Sequence, residues 1–514
     1  MAAEAETSDG RANAAAVAVV LPSLGEALGL GGEAALRDFR RLLMQERAEL
    51  EVELGGPVRF TDRDSGSGAR LLIGPASANP GLAAYQGIPL GRPGIHVDRV
   101  RRAILVDSPD LAGIGEAMSL LRTVLLDDLD SADVADCLTL DEAIERVVVE
   151  VGRTYPAFAP RGLDWPSICQ RQAERVLSAV DPLAAMQRWL AELRDCHSWV
   201  KERPSPVPLP YQLWVEEPRR GLGHQPRAVF VDVPEGTAAW EAGVRPGDEL
   251  LDVDAAGWWE RTGAPAHAKP LMTGYRLLSG QAGVQRELVA RSPSGETRRW
   301  SEAPALTPPF PLVSWRRLDS GSGYLRIRQW RASPEFDDAL DAAFRELRRF
   351  ANGRLIVDLR GNAGGNLVRA TAFRDRFLTQ RTICGTIRFS DGRDGLSEPA
   401  PIVAEPAGEH DRWAGPVYFL TDPLTYSASE DALLGLQGLP WVRAIGEPSG
   451  GGSGRPRSLR LLPGMGLTVS MALTYDRQGR CIEGSGIPVD ELVVPDRFSP
   501  DAPDVVLLAA DRNW

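Results

Sequence analysis

The chain has 514 residues, 43% hydrophobic and 25% charged, which is the composition of an ordinary globular protein and too long for a single core. Its net charge of −12 argues against nucleic acid or an anionic membrane surface as the main partner. Five scattered cysteines form no metal-ligand or redox pair, a pattern that suits reduced thiols.

The segment Met1-Ala-Ala-Glu-Ala-Glu-Thr7 is acidic where a secretory signal should be basic. The apolar run Ala14–Leu21 is too short to span a membrane, so the expected location is the cytoplasm. Residues 1–12 are small and polar and predict a disordered tail. Residues 13–138 predict a small α/β domain. Helical periodicity marks Ala34–Leu43 and Leu111–Leu126, and strand patterns mark Ala69–Gly74 and Ala103–Asp107. This domain carries no catalytic motif.

Residues 139–204 predict helices, opened by Asp141–Val149 and continued by Ala173–Leu177 and Pro182–Leu193. The last runs into Leu193-Arg-Asp-Cys-His197, and Pro-rich Arg203–Pro210 marks a boundary. Residues 205–304 change to short strands and turns. There Ala242-Gly-Val244 followed by Pro246-Gly-Asp-Glu-Leu250 resembles a PDZ domain, with Gly243 capping a short helix and Gly247 in a turn. A PDZ module binds an extended peptide as an added strand, and its carboxylate loop should precede Val229. Gly221, Leu222 and Gly223 are the candidate loop residues. The stretch from Trp258 to Gly274 departs from that pattern and looks inserted.

From 305 to 497, strands and helices alternate, which argues a layered α/β core. Gly323–Arg328 reads as a strand and Phe336–Phe350 as an amphipathic helix. Leu355–Asp358 and Val417–Leu420 read as buried strands. Residues 498–514 form a tail with at most one short helix.

Two segments of this core carry chemistry. Leu355-Ile-Val-Asp-Leu-Arg-Gly-Asn-Ala-Gly-Gly365 is a strand that breaks into a glycine turn, and Thr425-Tyr-Ser-Ala-Ser-Glu430 is a polar turn between a strand and a helix. A serine before a helix is most often an N-cap, and paired glycines after a strand are most often a turn. The same placement also exposes a hydroxyl at a helix N-terminus, where backbone N–H groups favour a developing anion.

In combination the two segments resemble the tail-specific (carboxy-terminal processing) and tricorn-type serine peptidases. There a strand ending D-L-R-x-N-x-G-G precedes a turn of the form S-A-x-E. The resemblance covers residues 139–496. It implies a crotonase-like ββα peptidase core, a helical segment bearing the base and an inserted PDZ domain. It implies Ser427 as nucleophile rather than Ser429. The oxyanion hole would be the backbone N–H of Ala428 with that of Gly364 or Gly365. Asn362 and Arg360 are expected to hold the glycine turn.

A serine hydroxyl needs a positioned base. Carboxy-terminal processing proteases use a lysine downstream of the serine, but this chain has no lysine after Lys269. Arginine cannot substitute because it stays protonated. The tricorn-type branch takes a histidine in an L-x-D-x-H context instead, which implies His197. A late glutamate acting through a serine beside the histidine completes its tetrad, which implies Glu483. Here Cys196 stands in place of that serine, and Asp195 is the rival orienter.

The resemblance implies a serine endopeptidase acting on peptides or unfolded protein tails, with no metal or organic cofactor. A homo-oligomer is compatible with it. The alternatives on the same scaffold are a binding protein without peptidase activity and a pathway-specific acyl hydrolase or peptide cyclase.

Overall fold

A computed structural model describes residues 139–218, 226–306, 308, 310–350, 353–390, 395–499 and 502–512, together with the backbone of five strands before residue 139. The chain divides into two units, Met1–Asp133 and Val134–Trp514. In the first, β1 (Val17–Val20), β2 (Val58–Thr61), β3 (Arg70–Ile73), β4 (Gly94–Asp98) and β5 (Ala103–Asp107) form one sheet. Its order is β2-β1-β3-β5-β4, with only the β4–β5 pair antiparallel. The strands expected near 70 and 103 are present. The expected helices at 34–43 and 111–126, and the tail at 1–12, lie outside the described residues.

The second unit opens with three helices, α1 (Leu140–Thr154), α2 (Trp165–Leu177) and α3 (Pro182–Ala191). Each starts at a polar cap. Thr139 and Glu142 form a reciprocal capping box, while the side chains of Asp164 and Asp181 accept an N–H from the first turn. Their apolar faces bury Val147, Val151, Trp165, Trp189 and Leu190 in one cluster. The chain then enters β6 (Trp199–Glu202), β7 (Val207–Pro208), β8 (Gln212–Val215) and β9 (Ala228–Asp232).

Short helix α4 (Ala238–Glu241) and strand β10 (Glu249–Leu251) follow, then α5 (Ala255–Arg261) and α6 (Lys269–Leu278). Next come β11 (Ser279–Gly280), β12 (Arg286–Arg291) and β13 (Thr297–Glu302). Strands β13-β12-β10-β9-β8 form an antiparallel sheet. The stretch that looked inserted in sequence is α5 with α6. Helix α6 packs so closely on β8 that a Cβ on Gly274 would lie 2.1 Å from the Leu213 carbonyl oxygen. Gly221, Leu222 and Gly223 lie outside the described residues.

The remaining elements build the core that positions the site. They are β14 (Val313–Arg317), β15 (Gly323–Ile327), α7 (Pro334–Phe350), β16 (Leu355–Asp358), α8 (Leu367–Asp375), β17 (Thr382–Phe389) and β18 (Ala400–Ala404). They continue with β19 (Val417–Thr421), α9 (Ala428–Leu433), β20 (Val442–Gly446), β21 (Arg457–Arg460) and β22 (Met465–Val469). Strands β23 (Ala472–Asp476) and β24 (Glu491–Leu492) and helix α10 (Val505–Arg512) close the chain.

The main sheet runs β14-β15-β16-β19-β20-β24, and all but its first pair are parallel. Its inner strands are apolar at successive positions because both faces are covered. Leu355, Val357, Val417 and Phe419 point into a core with α7, α8 and α9, whereas Ile356, Tyr418 and Leu420 meet Val506 and Ala510 of α10. Among the described residues no helix is long and apolar enough to cross a membrane.

Phe373 sits at the centre of the larger core. Its ring centroid lies 5.1 Å from that of Phe377 and 5.2 Å from that of Trp330, and it is fully buried. Phe373→Ala is expected to destabilise the protein by about 3–5 kcal/mol through lost transfer energy and a residual cavity. A shift of the urea midpoint without a change in slope checks this.

Candidate active site

The parallel pairing of β16 with β19, register Leu355↔Val417 to Asp358↔Leu420, brings the glycine turn and the serine turn to the same sheet end. Hydrogen bonds then lock the two turns together. The Asn362 carbonyl accepts the Tyr426 N–H at 3.0 Å and the Ser429 hydroxyl at 2.9 Å, and the Leu359 carbonyl accepts the Thr425 hydroxyl at 3.0 Å. Asp422 Oδ1 accepts N–H groups from Gly361, Leu424 and Thr425 at 2.8–3.0 Å, so one buried carboxylate organises both turns. Asn362 Oδ1 accepts the Gly364 N–H at 3.0 Å, and Arg360 pairs with Asp358 and Asp504. Asn362 and Arg360 thus hold the turn, as their placement in sequence suggested.

Ser427 caps α9 with φ +56° and ψ −123°, a strained conformation for a residue with a Cβ. The strain is sustained by Glu430. Its carboxyl accepts the Ser427 N–H at 3.0 Å, the Gly451 and Gly452 N–H groups at 2.8 Å and the Ser449 hydroxyl at 2.6 Å. Burial pushes this carboxyl up to about 7, and the four donors favour its ionised form against that burial.

The glycines are required by close approach. A Cβ on Gly364 would lie 2.8 Å from Ser427 Cβ, and one on Gly365 2.1 Å from the Trp330 carbonyl oxygen. The Gly364 N–H is committed to Asn362. Among the described residues, the N–H groups of Ala428 and Gly365 are not engaged by an acceptor. These two are therefore available as an anion-binding pair.

His197 arrives from far upstream. Its segment is fixed by β6, which pairs with β22, and by Arg161, which donates to the Leu193 and Arg194 carbonyls at 2.7 and 2.5 Å. His197 Nε2 lies 3.2 Å from Ser427 Oγ, and the imidazole packs against Tyr426 with ring centroids 4.8 Å apart. Burial lowers the imidazole pKa below 6.5, opposed by the Asp195 carboxylate and aided by the Arg276 charge. The ring is therefore neutral at neutral pH and able to accept a proton.

The arrangement behind the histidine differs from the expected relay. Among the described residues, the buried His197 Nδ1 has no hydrogen-bond partner. Glu483 Oε1 instead accepts the Ser453 N–H at 2.8 Å. Burial, reinforced by the charges of Asp195 and Glu430, raises the Glu483 carboxyl well above its ordinary range and favours the neutral acid. Asp195 is the carboxylate beside the His197 imidazole. It accepts the His197 backbone N–H at 3.0 Å and the Ser198 hydroxyl at 2.6 Å. Against the cost of burial, Arg161 and His197 hold its carboxyl below the usual value. Cys196 makes no such bridge. Burial pushes its thiol up to about 12, which excludes a thiolate nucleophile at neutral pH.

Asp422 and Glu430 carry more of the geometry than their sequence positions suggested. The available signals were Asp422-Pro423, a turn-starting pair, and a glutamate three residues after a helix-capping serine. Glu430→Ala should orphan three N–H groups and a hydroxyl, destabilising the protein by at least about 3 kcal/mol. Urea unfolding checks the loss, and Glu430→Asp should recover little of it because the shorter side chain misses the donors.

Residues 321–493 match the model of peptidase family S41. A carboxyl-terminal-processing protease of Picosynechococcus sp. is 27% identical over 270 residues, covering 52% of this chain and 60% of that protein. A putative tricorn protease homolog 2 of Streptomyces coelicolor is 27% identical over 399 residues, covering 71% of this chain and 30% of that protein. The chain thus spans 60% and 30% of the lengths of these curated relatives. A crystal structure of a CPAF mutant superposes with a TM-score of 0.50 at 14% identity, covering 77% of this chain and 96% of that one. That likeness is one of fold.

Proposed function

We propose that this chain, which carries a peptidase family S41 domain at residues 321–493, is a serine endopeptidase acting on peptides or unfolded protein tails. The observation that carries the proposal is the 3.2 Å contact between His197 Nε2 and Ser427 Oγ at a strained strand-to-helix turn. In this reading neutral His197 takes the Ser427 proton as Oγ attacks the scissile carbonyl carbon. Ala428 and Gly365 N–H groups stabilise the resulting oxyanion. His197 then gives the proton to the departing amine, and water, deprotonated by the same imidazole, releases the acyl group from Ser427.

Asp195, rather than Glu483, is the carboxylate we assign to support the imidazolium, because it neighbours His197 and is held ionised. The antiparallel module of β8–β10, β12 and β13 is read as the PDZ-like peptide-binding domain, on the strength of its Ala242-Gly-Val and Pro246-Gly-Asp turns. We propose a cytoplasmic location, on the strength of the scattered, unpatterned cysteines alone.

A serine-directed phosphonate should label the wild-type protein. Ser427→Ala should abolish labelling and His197→Ala should reduce it strongly. Labelling that survives Ser427→Ala would falsify the assignment. Activity on a chromogenic peptide should rise with pH through a midpoint below 6.5, because protonated His197 cannot accept the serine proton and burial depresses its pKa. Asp195→Asn should lower kcat/KM by about 10–100-fold, the loss of one charge-supported interaction. Glu483→Gln should cost less than Asp195→Asn, and the reverse order would restore the glutamate as orienter.

A further inference from the structure

A cavity of about 410 Å³ opens beside the glycine turn. Gly364 and Gly365 form part of its wall, and Gly364 also abuts Ser427, so the cavity adjoins the reacting centre. Its lining also includes the apolar side chains of Pro206, Pro208, Pro210 and Phe310. Prolines in a lining suit an extended chain, because they lose no side-chain freedom on ordering.

The charges in the lining are distributed unevenly. Arg328 is paired with Asp232, and Arg360 with Asp358 and Asp504. Glu302 accepts the Tyr211 hydroxyl, and burial raises its carboxyl, which weakens it as a partner for a cation. Arg331 is different. It donates to the Leu306 carbonyl and, among the described residues, has no carboxylate partner. Its position is also set by the site, because the preceding residue, Trp330, bridges Gly365. Trp330 N–H donates to the Gly364 carbonyl at 3.1 Å, and the Trp330 carbonyl accepts the Asn366 N–H at 2.9 Å. A guanidinium short of a counter-ion, one residue from the backbone that holds the anion-binding turn, is suited to a substrate carboxylate.

We infer that this cavity receives a carboxylate of the peptide substrate, with Arg331 as its charge partner. The carboxylate is supplied either by an acidic side chain or by the chain terminus. The inference rests on the peptidase reading for its substrate, but its test does not need turnover.

Ser427→Ala protein is titrated, by fluorescence anisotropy, with four fluorescein-labelled hexapeptides of one parent sequence. One is neutral and amidated, one carries a Glu, one carries a Lys, and one is neutral with a free terminal carboxylate. At least one carboxylate peptide should bind about 10-fold tighter than the neutral parent, and which one identifies the source. Adding Arg331→Gln should remove the preference, and Arg331→Lys should retain part of it. Equal binding by all four, no binding by any, tightest binding of the Lys peptide, or a preference that survives Arg331→Gln overturns the inference. A carboxylate preference in a protein whose Ser427 resists phosphonate would overturn the peptidase reading and leave the subsite standing.

Discussion

The site depends on one constraint, the parallel register of β16 with β19. Antiparallel neighbours would put the ends of these two strands on opposite edges of the sheet. Parallel pairing instead delivers Gly364 and Gly365 to the same edge as Ser427, without any contribution from a long loop. The remainder of the site is attached to that edge. Asp422 joins the two turns through three N–H groups, and Asn362 joins them through its backbone carbonyl, which accepts from Tyr426 and Ser429. The apolar faces of the strands, buried against α7–α9 on one side and α10 on the other, hold the register, since a slip of one residue would exchange the two faces.

Onto this edge the fold brings an imidazole from another part of the chain. His197 is 230 residues from Ser427 in sequence, and it is placed by the pairing of β6 with β22. Its neighbours decide its protonation. Burial disfavours its charged form, while Asp195, held below its usual value chiefly by Arg161, favours that form. Three carboxyl groups near the serine turn are shifted differently for physical reasons. Arg161 holds Asp195 below its usual value, burial pushes Glu430 up to about 7 against four donors, and burial raises Glu483 well above its ordinary range.

Much of this was legible in the sequence, because it rests on local pattern. The buried strands at Leu355 and Val417 and the amphipathic helix near Phe336 follow from periodicity. The strand–turn pattern drew attention to Ser427, Ala428 and the glycine pair, but their expected roles, and that of His197 once the missing lysine was noted, came from the family resemblance. Pairing across the chain was not legible. Nothing local says that Asp422 serves Gly361 or that Glu483 turns to Ser453. Those partners are chosen by three-dimensional proximity, and sequence spacing carries no record of it. Helix α6, which looked like a departure from a module's pattern, likewise turns out to pack its Leu271 and Met272 against Leu424 and Tyr426 of the serine turn.

The measurement that tests the account most directly is a crystal structure of the phosphonate adduct. The account predicts phosphorus on Ser427 Oγ, with one phosphoryl oxygen within hydrogen-bond reach of both the Ala428 and Gly365 N–H groups and His197 Nε2 alongside. An adduct on another residue, or a phosphoryl oxygen turned away from both N–H groups, would contradict it.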